Sequence, residues 1–388
     1  MFLFELLIYV FFALIMMILA KKSEEAFGED TRMDRYLWCY VLFFSFISAI
    51  RWRVGMDSEM YIYTFKTGLV RNESTEYLWD WLVLFVKNNG IHFAFGMGVA
   101  AFLQIILLAR ALKEYKYLVI WLPVVIFGGR YFLDLMNGVR QMIVACGFVY
   151  LSNYILQKKL VHYLVGVLVL SLIHHSALIL LPLYVFAYIP IGKLNLPNKR
   201  NICLIILGVC VAIGVVGSFT GATKYVEGFT LLIGYDNYSD WATDIMSGDK
   251  AERVGFGPMM LSYLAVAVFI IWYAPRLSDE YGDEMPQFNL WYFFSFVFAC
   301  FFFLVYNISH LAIRFAQYFE FFQTIMLALL LHYFYVYRTE FRNILYILII
   351  SIWLSTLVGV YKSQSEKLEY TTYKTIFTGS TPNYSLNL

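Results

Sequence analysis

The sequence predicts an all-α polytopic membrane protein of about twelve transmembrane helices, and three observations predict it. Of 388 residues, 61% are hydrophobic and 14% are charged, against roughly 25% charged in an ordinary soluble domain. Phe (36) and Tyr (31) are both in marked excess. Apolar runs of about 17–20 residues recur along the chain, each long enough to cross a hydrocarbon core of about 30 Å as a helix. A soluble protein can bury one or two such runs, but not ten.

Each span is delimited by its apolar run and the polar residues that end it. The run 2–20 has Glu5 where a signal peptide would carry basic residues, and no small-x-small site follows. It reads as a retained helix. Further spans are expected over 36–50, 91–109, 117–134, 139–156, 160–173, 176–190, 201–219, 258–274, 289–307, 311–336 and 343–360. The pair 160–173 and 176–190 is short and closely spaced. No repeat, low-complexity tract or soluble domain interrupts the series, so residues 1–360 read as one membrane domain and 361–388 as a tail. Cys39, Cys146, Cys203, Cys210 and Cys300 all lie in apolar segments without metal-ligand spacing, and read as packing residues. A net charge of +2 with no basic-aromatic stripe gives no sign of nucleic acid.

Short basic connections set the orientation. Lys21, Lys22, Arg32 and Arg35, then Arg110, Lys113 and Lys116, then Lys158 and Lys159, then Lys193, Lys199 and Arg200, then Arg338 and Arg342 all fall on one side of a twelve-span chain. That side is expected to be cytoplasmic, with both termini outside. The opposite side receives the segment from Arg51 to Tyr61, and Glu76-Tyr77-Leu78-Trp79-Asp80-Trp81, which opens an amphipathic stretch ending at Asn88-Asn89-Gly90. This stretch is expected to lie flat in the interface with its aromatic residues toward lipid. The outer loops are near 51–90 and 220–257, and the second, rich in Gly, Asp and Tyr, suits a lid or a substrate-reading surface.

Four polar groups sit at span ends on this outer side: Arg51/Arg53/Asp57/Tyr61, Asn137-Gly138-Val139-Arg140-Gln141, His174-His175-Ser176, and Arg314 with Tyr318. An ionisable group at membrane depth costs about 2.5–3.5 kcal/mol on insertion scales, so it usually has a partner or a function. Four such groups on one face point to a shared polar cavity. Each also has an ordinary explanation. Arg51 and Arg53 could flank a helix and snorkel to headgroups, Asp57 could pair with either, and Asn137 could be a helix cap. Arg140 and Gln141 enter the apolar run Met142–Tyr150 and need partners there. The His pair matches neither a zinc spacing nor, alone, a Ser-His-Asp arrangement, and an intramembrane His is commonly a hydrogen-bonded packing residue. Arg314 stands within an apolar run, with Tyr318 one turn along the same face and Glu320 as a competing partner. Arginines orient phosphates through a planar fork, and a histidine or carboxylate can take a proton from a hydroxyl. The set fits a lipid-linked phosphate or diphosphate without identifying the reaction.

The order of these residues carries further information. Arg51-x-Arg53-x-Gly55-x-Asp57-x-x-x-Tyr61-x-x-x-Phe65, then Glu76-Tyr77, Asn137-Gly138-x-Arg140-Gln141-x-x-x-Ala145, His175-Ser176-Ala177 with Pro182, and Arg314-x-x-x-Tyr318-Phe319 follow one another along the chain. The series resembles the EpsG family of bacterial Wzy-like polysaccharide polymerases, from about residue 40 to about residue 330. The chain has Met56-Asp57-Ser58 where family members more often have Thr-Asp-Tyr, and lacks the Pro that commonly follows the residue matching Glu76. The resemblance implies a GT-C-like membrane glycosyltransferase at the outer face of the bacterial cytoplasmic membrane. Its substrates would be undecaprenyl-diphosphate-linked glycan donor and acceptor, joined into capsule, exopolysaccharide or O-antigen, with a flippase and a chain-length regulator as possible partners. In that frame Arg51, Arg53, Arg140 and Arg314 are candidates to hold the diphosphate. His175, then Asp57, then Glu76 are candidates for the base, and Tyr61, Asn137, Gln141, His174 and Tyr318 position substrate. No nucleotide-binding loop or grouped aspartates are visible, so neither a cofactor nor a metal is expected. A flippase for lipid-linked oligosaccharide or an O-antigen ligase-type transferase are the alternatives.

Overall fold

The computed structural model describes residues 2–28, 32–55, 57–70, 74–217, 257–306, 310–365 and 373–377. The expected outer loop 220–257 falls almost wholly outside the described residues, as does most of the tail. Helices occupy α1 Phe2–Phe27, α2 Arg35–Ala49, α3 Ser58–Thr67, α4 Tyr77–Asn88, α5 Phe93–Leu112, α6 Lys116–Gly128, α7 Tyr131–Asn137, α8 Val139–Leu156 and α9 Leu160–Ser171. They continue as α10 Ile191–Leu194, α11 Arg200–Gly217, α12 Pro258–Tyr281, α13 Phe288–Val305, α14 His310–Ala316, α15 Glu320–Val336 and α16 Arg338–Ser365. Two 3-10 segments, His175–Ala187 and Gln317–Phe319, complete the series.

Every expected span overlaps one of these helices. Among the described residues seven helices are long and apolar enough to cross a membrane, or up to eight if the bent pair α6–α7 is one span. Arg35–Ala49, Leu160–Ser171, His175–Ala187 and Arg200–Val215 are shorter apolar helices. The protein is an all-α, multi-pass membrane protein with seven to eight candidate spans.

The expected span 117–134 is broken. α6 and α7 meet at a 75° bend, where Gly129 and the left-handed Arg130 (φ 70°) interrupt the helical ladder. Backbone carbonyls freed inside a membrane need donors, and two side chains supply them. The Thr356 hydroxyl donates to Phe127 O (2.6 Å) and Gly128 O (2.8 Å). The fully buried Gln104 amide donates to Leu135 O (2.9 Å) and Val139 O (3.1 Å), across the corner between α7 and α8.

The structure forms two compact units, residues 1–143 with 352–388 and residues 144–351, and the boundaries fall within α8 and α16. In the first unit α1 packs on α6 and α2, and α2 on α5. Small residues allow the α2–α5 approach, since a Cβ on Gly98 would lie 3.1 Å from that of Ala49. Rings of Tyr9, Phe12, Phe44, Phe127 and Phe132 fill the interior; Phe127 and Phe132 are 5.0 Å apart. At one end Asp34 caps α2, accepting from the Tyr36 and Leu37 N–H groups at 2.8 and 3.1 Å. It also pairs with the buried Lys116 (3.3 Å) and accepts from Ser23 (2.5 Å). Lys116, expected as a loop cation, is instead an internal tie, its ammonium also donating to Phe27 O. Burial alone would raise the Asp34 carboxyl, but Ser23, the two N–H groups and Lys116 outweigh it and hold it below the usual value.

In the second unit α13 packs against α11 and α15, and the longer 3-10 segment lies on α9. Pro182 removes a helix donor within that segment, and the Tyr163 hydroxyl donates to Leu180 O (2.6 Å). Trp291 Nε1 donates to the buried Ser152 hydroxyl (3.0 Å), and the rings of Phe148, Phe294 and Phe322 meet at 4.9–5.2 Å.

Candidate functional site

In the first unit the chain leaves α2 through a tight turn, Arg51–Gly55, before α3 begins. Arg53 (φ 55°) and Gly55 (φ 92°) both take the left-handed conformation, which costs a non-glycine residue about 1 kcal/mol or more. Glycine is needed at 55 for a second reason: a Cβ there would lie 2.5 Å from Asn137 Oδ1. Asn137 therefore does not cap α8. It is the last residue of α7 and is wedged against the turn.

Arg51 points inward and is 2% exposed. Its Nη1 donates to Val54 O (3.0 Å) and Met136 O (3.3 Å). Burial pulls its pKa down to about 10, opposed by Tyr61, Tyr373 and Tyr9 around it, so it remains a cation at pH 7. Arg53 points outward and pairs with Glu59. Asp57 is the residue before α3, half-buried, with Tyr61 one turn on and buried. Burial pushes the Tyr61 hydroxyl up, with Asp57 adding to the rise and Arg140 and Arg51 opposing it.

Arg140, the second residue of α8, pairs with the Glu76 carboxylate and lies over the Trp79 ring at 5.7 Å. It also hydrogen-bonds Tyr61. Glu76 precedes α4 without capping it, because its side chain is given to Arg140. Gln141 is buried beside it along α8. A guanidinium has five donors, and the first turn of a helix favours negative charge. Arg140 is partly exposed and keeps guanidinium donors beyond those given to Glu76. The structure brings Arg51, Tyr61, Glu76, Asn137 and Arg140 into one network, although they come from three separate stretches of sequence.

The remaining candidates gather in the second unit. Ser176 Oγ and the Tyr318 hydroxyl form a buried hydrogen bond. His174, extended and half-buried, and the exposed His175 open the 3-10 segment that carries Ser176. Arg314 is exposed rather than enclosed by its apolar run, and Tyr318 is buried. The two do not present one face, because the 3-10 turn Gln317–Phe319 breaks the α-helical register between them. Glu320 is buried at the start of α15.

Three features escaped the sequence reading. Arg130 and Asp134 lie inside what reads as a continuous apolar span. Lys116 and Asp34 form a buried pair behind an ordinary basic loop. Residues 373–377 return to the Arg51 turn: Trp52 N–H donates to Lys374 O (2.8 Å) and Ile376 N–H to Ile50 O (2.8 Å), an antiparallel bridge between Arg51 and Thr375. Only the first had a signal, a charged pair at helical spacing. Among the described residues no three His, Cys, Asp or Glu side chains gather as a metal-ligand set.

Comparison with curated proteins found no match, and comparison with solved structures found none. A family model does match, over residues 34–375, a stretch that contains both polar clusters and most of the return at 373–377: the chain belongs to the EpsG family.

Proposed function

We propose that this protein is a polysaccharide polymerase of the Wzy-like type. It joins undecaprenyl-diphosphate-linked repeat units into capsule, exopolysaccharide or O-antigen at the outer face of the bacterial cytoplasmic membrane. Membership in the EpsG family supports the class. The observation that carries the chemistry is Arg140, held at the start of α8 by Glu76, Trp79 and Tyr61 with its guanidinium partly open.

In this reading a hydroxyl on the acceptor glycan attacks the anomeric carbon of the donor. The new glycosidic C–O bond forms as the bond to the diphosphate breaks, undecaprenyl diphosphate leaves with the electron pair, and the hydroxyl proton passes to a base. Arg140 neutralises diphosphate charge, with Arg53 at the mouth of the turn and Arg51 buried behind it; Arg314 is the second unit's candidate for that role. His175, exposed, is the first choice of base. Asp57 is second and Glu76 third, since a carboxylate paired with Arg140 is a weakened base. Diphosphate is a good leaving group, so positioning supplies much of the rate. Tyr61, Asn137, Gln141, His174 and Tyr318 serve that positioning.

Incubation of the purified chain with its lipid-linked repeat unit, followed by a glycan ladder gel, tests the reading. A ladder of lipid-linked glycan is the expected result. Transfer to a different acceptor identifies a ligase, and movement without bond exchange identifies a flippase.

A further inference from the structure

The sequence gives the C-terminal tail no role, yet one of its residues is built into the interior of the first unit. Tyr373 is 8% exposed. Its hydroxyl donates to Ile47 O (2.5 Å), in the last turn of α2, and its ring meets Phe12 at 4.8 Å and Tyr9 at 6.1 Å. Two backbone hydrogen bonds then pin residues 374–376 along Ile50–Trp52. The turn so held is the one whose arginine is buried, with an Nε that has no hydrogen-bond partner. Among the described residues no carboxylate pairs with Arg51. A buried cation without a counter-ion is costly, and an anion near Tyr61 and Arg140, the groups that share its field, relieves that cost.

We propose that residues 373–376 are a working part of the anion site: they fix the Arg51–Gly55 turn against the α7–α8 corner, and Tyr373 is a positioning residue for Arg51. This rests on the reading of the first unit as a diphosphate-binding site. Without the return segment the turn, two of whose residues hold left-handed conformations, loses its backbone partners, and Arg51 loses both its hydroxyl neighbour and its fixed distance to Tyr61. The segment thereby sets how strongly the site prefers a doubly charged headgroup.

The test uses the full-length chain in nanodiscs, with undecaprenyl diphosphate and undecaprenyl monophosphate as probes. Tyr373→Phe removes only the hydroxyl, and Ile376→Pro removes the N–H given to Ile50. Phe377→Ala alters an exposed side chain of the same segment and serves as a control. Tyr373→Phe and Ile376→Pro are expected to weaken diphosphate binding at least fivefold and to lower the diphosphate-to-monophosphate preference, with melting temperatures near that of wild type and Phe377→Ala unchanged. Wild-type affinity and preference in both variants overturn the proposal. So does weakened binding that tracks a fall in melting temperature with the preference intact, which marks a merely structural role. A wild-type chain that fails to bind undecaprenyl diphosphate at all instead removes the diphosphate reading beneath it.

Discussion

Arg140 faces a competition that decides what its neighbours do. Glu76 occupies part of its guanidinium, and in the proposed reaction an incoming diphosphate displaces that carboxylate. Arg140→Ala and Arg314→Ala are expected to abolish polymer and leave single repeat units, while the chain still inserts normally. Arg140→Lys is expected to be nearly as damaging, because a point charge cannot reproduce a bidentate phosphate contact. Ladder gels on membranes with matched protein levels read this directly, and wild-type chain lengths in both alanine variants would remove these residues from the site. Glu76→Gln frees Arg140 without changing its shape, so donor binding tightens severalfold and turnover stays within about threefold. A general base is worth roughly 10²–10⁴-fold. A hundredfold loss of turnover at unchanged binding would therefore make Glu76 the base, whereas His175→Gln is expected to show that loss. Arg140 was legible in the sequence because a cation entering an apolar run demands a partner. Tyr373 was not, because its hydroxyl and ring meet α1 and α2 more than 300 residues away in sequence, beside a backbone pairing that leaves no mark on residue type.

Helices were legible wherever a run of apolar residues had polar ends, and their interruptions were not. The bend between α6 and α7 depends on Thr356 and the corner between α7 and α8 on Gln104, both distant in sequence and ordinary in composition. Gln104→Leu matches the hydropathy of α5, yet it strands the Leu135 and Val139 carbonyls. Each buried group left unsatisfied costs about 1–3 kcal/mol, so thermal unfolding in nanodiscs should fall by several degrees. A variant as stable as wild type would show that other donors serve the corner. At the opposite connections, Asp34→Asn breaks the pair with Lys116, and removing one partner of a buried pair typically costs about 3–5 kcal/mol. The folded Asp34 carboxyl lies below its unfolded value near 3.9. Its stabilisation is therefore complete above about pH 5 and is lost as pH falls through the folded value. Melting temperature against pH should show that acid loss in wild type and not in Asp34→Asn.

Across the whole molecule, the membrane class follows from composition, while sidedness rests on the density of basic residues in short loops. A cysteine replacing Met60, exposed on α3, should react with an impermeant reagent from outside, and one replacing Lys159 should stay protected. Labelling at 159 from outside would invert the orientation and the proposed site with it. Helix α4 offers the same test at its surface. Its Trp79, Leu82, Val83 and Val86 are buried, while Tyr77, Trp81 and Phe85 form an exposed stripe suited to headgroup depth. The two-unit division was not legible, because its boundaries fall inside continuous helices and change no local pattern.

The meeting of Tyr373 with Tyr9 and Phe12 has a consequence in time. The ribosome makes α1 before the second unit and residue 373 after it, at about 5–20 residues per second. The first unit must therefore wait, with its aromatic interior open, while the whole of the second is synthesised and inserted. A nascent chain cannot assemble the Arg51 turn in its final form, so no partly made copy engages substrate. For the same reason a fusion is safest attached beyond Phe377, and one that replaces residues 373–377 should yield a protein that inserts, accumulates and stays silent.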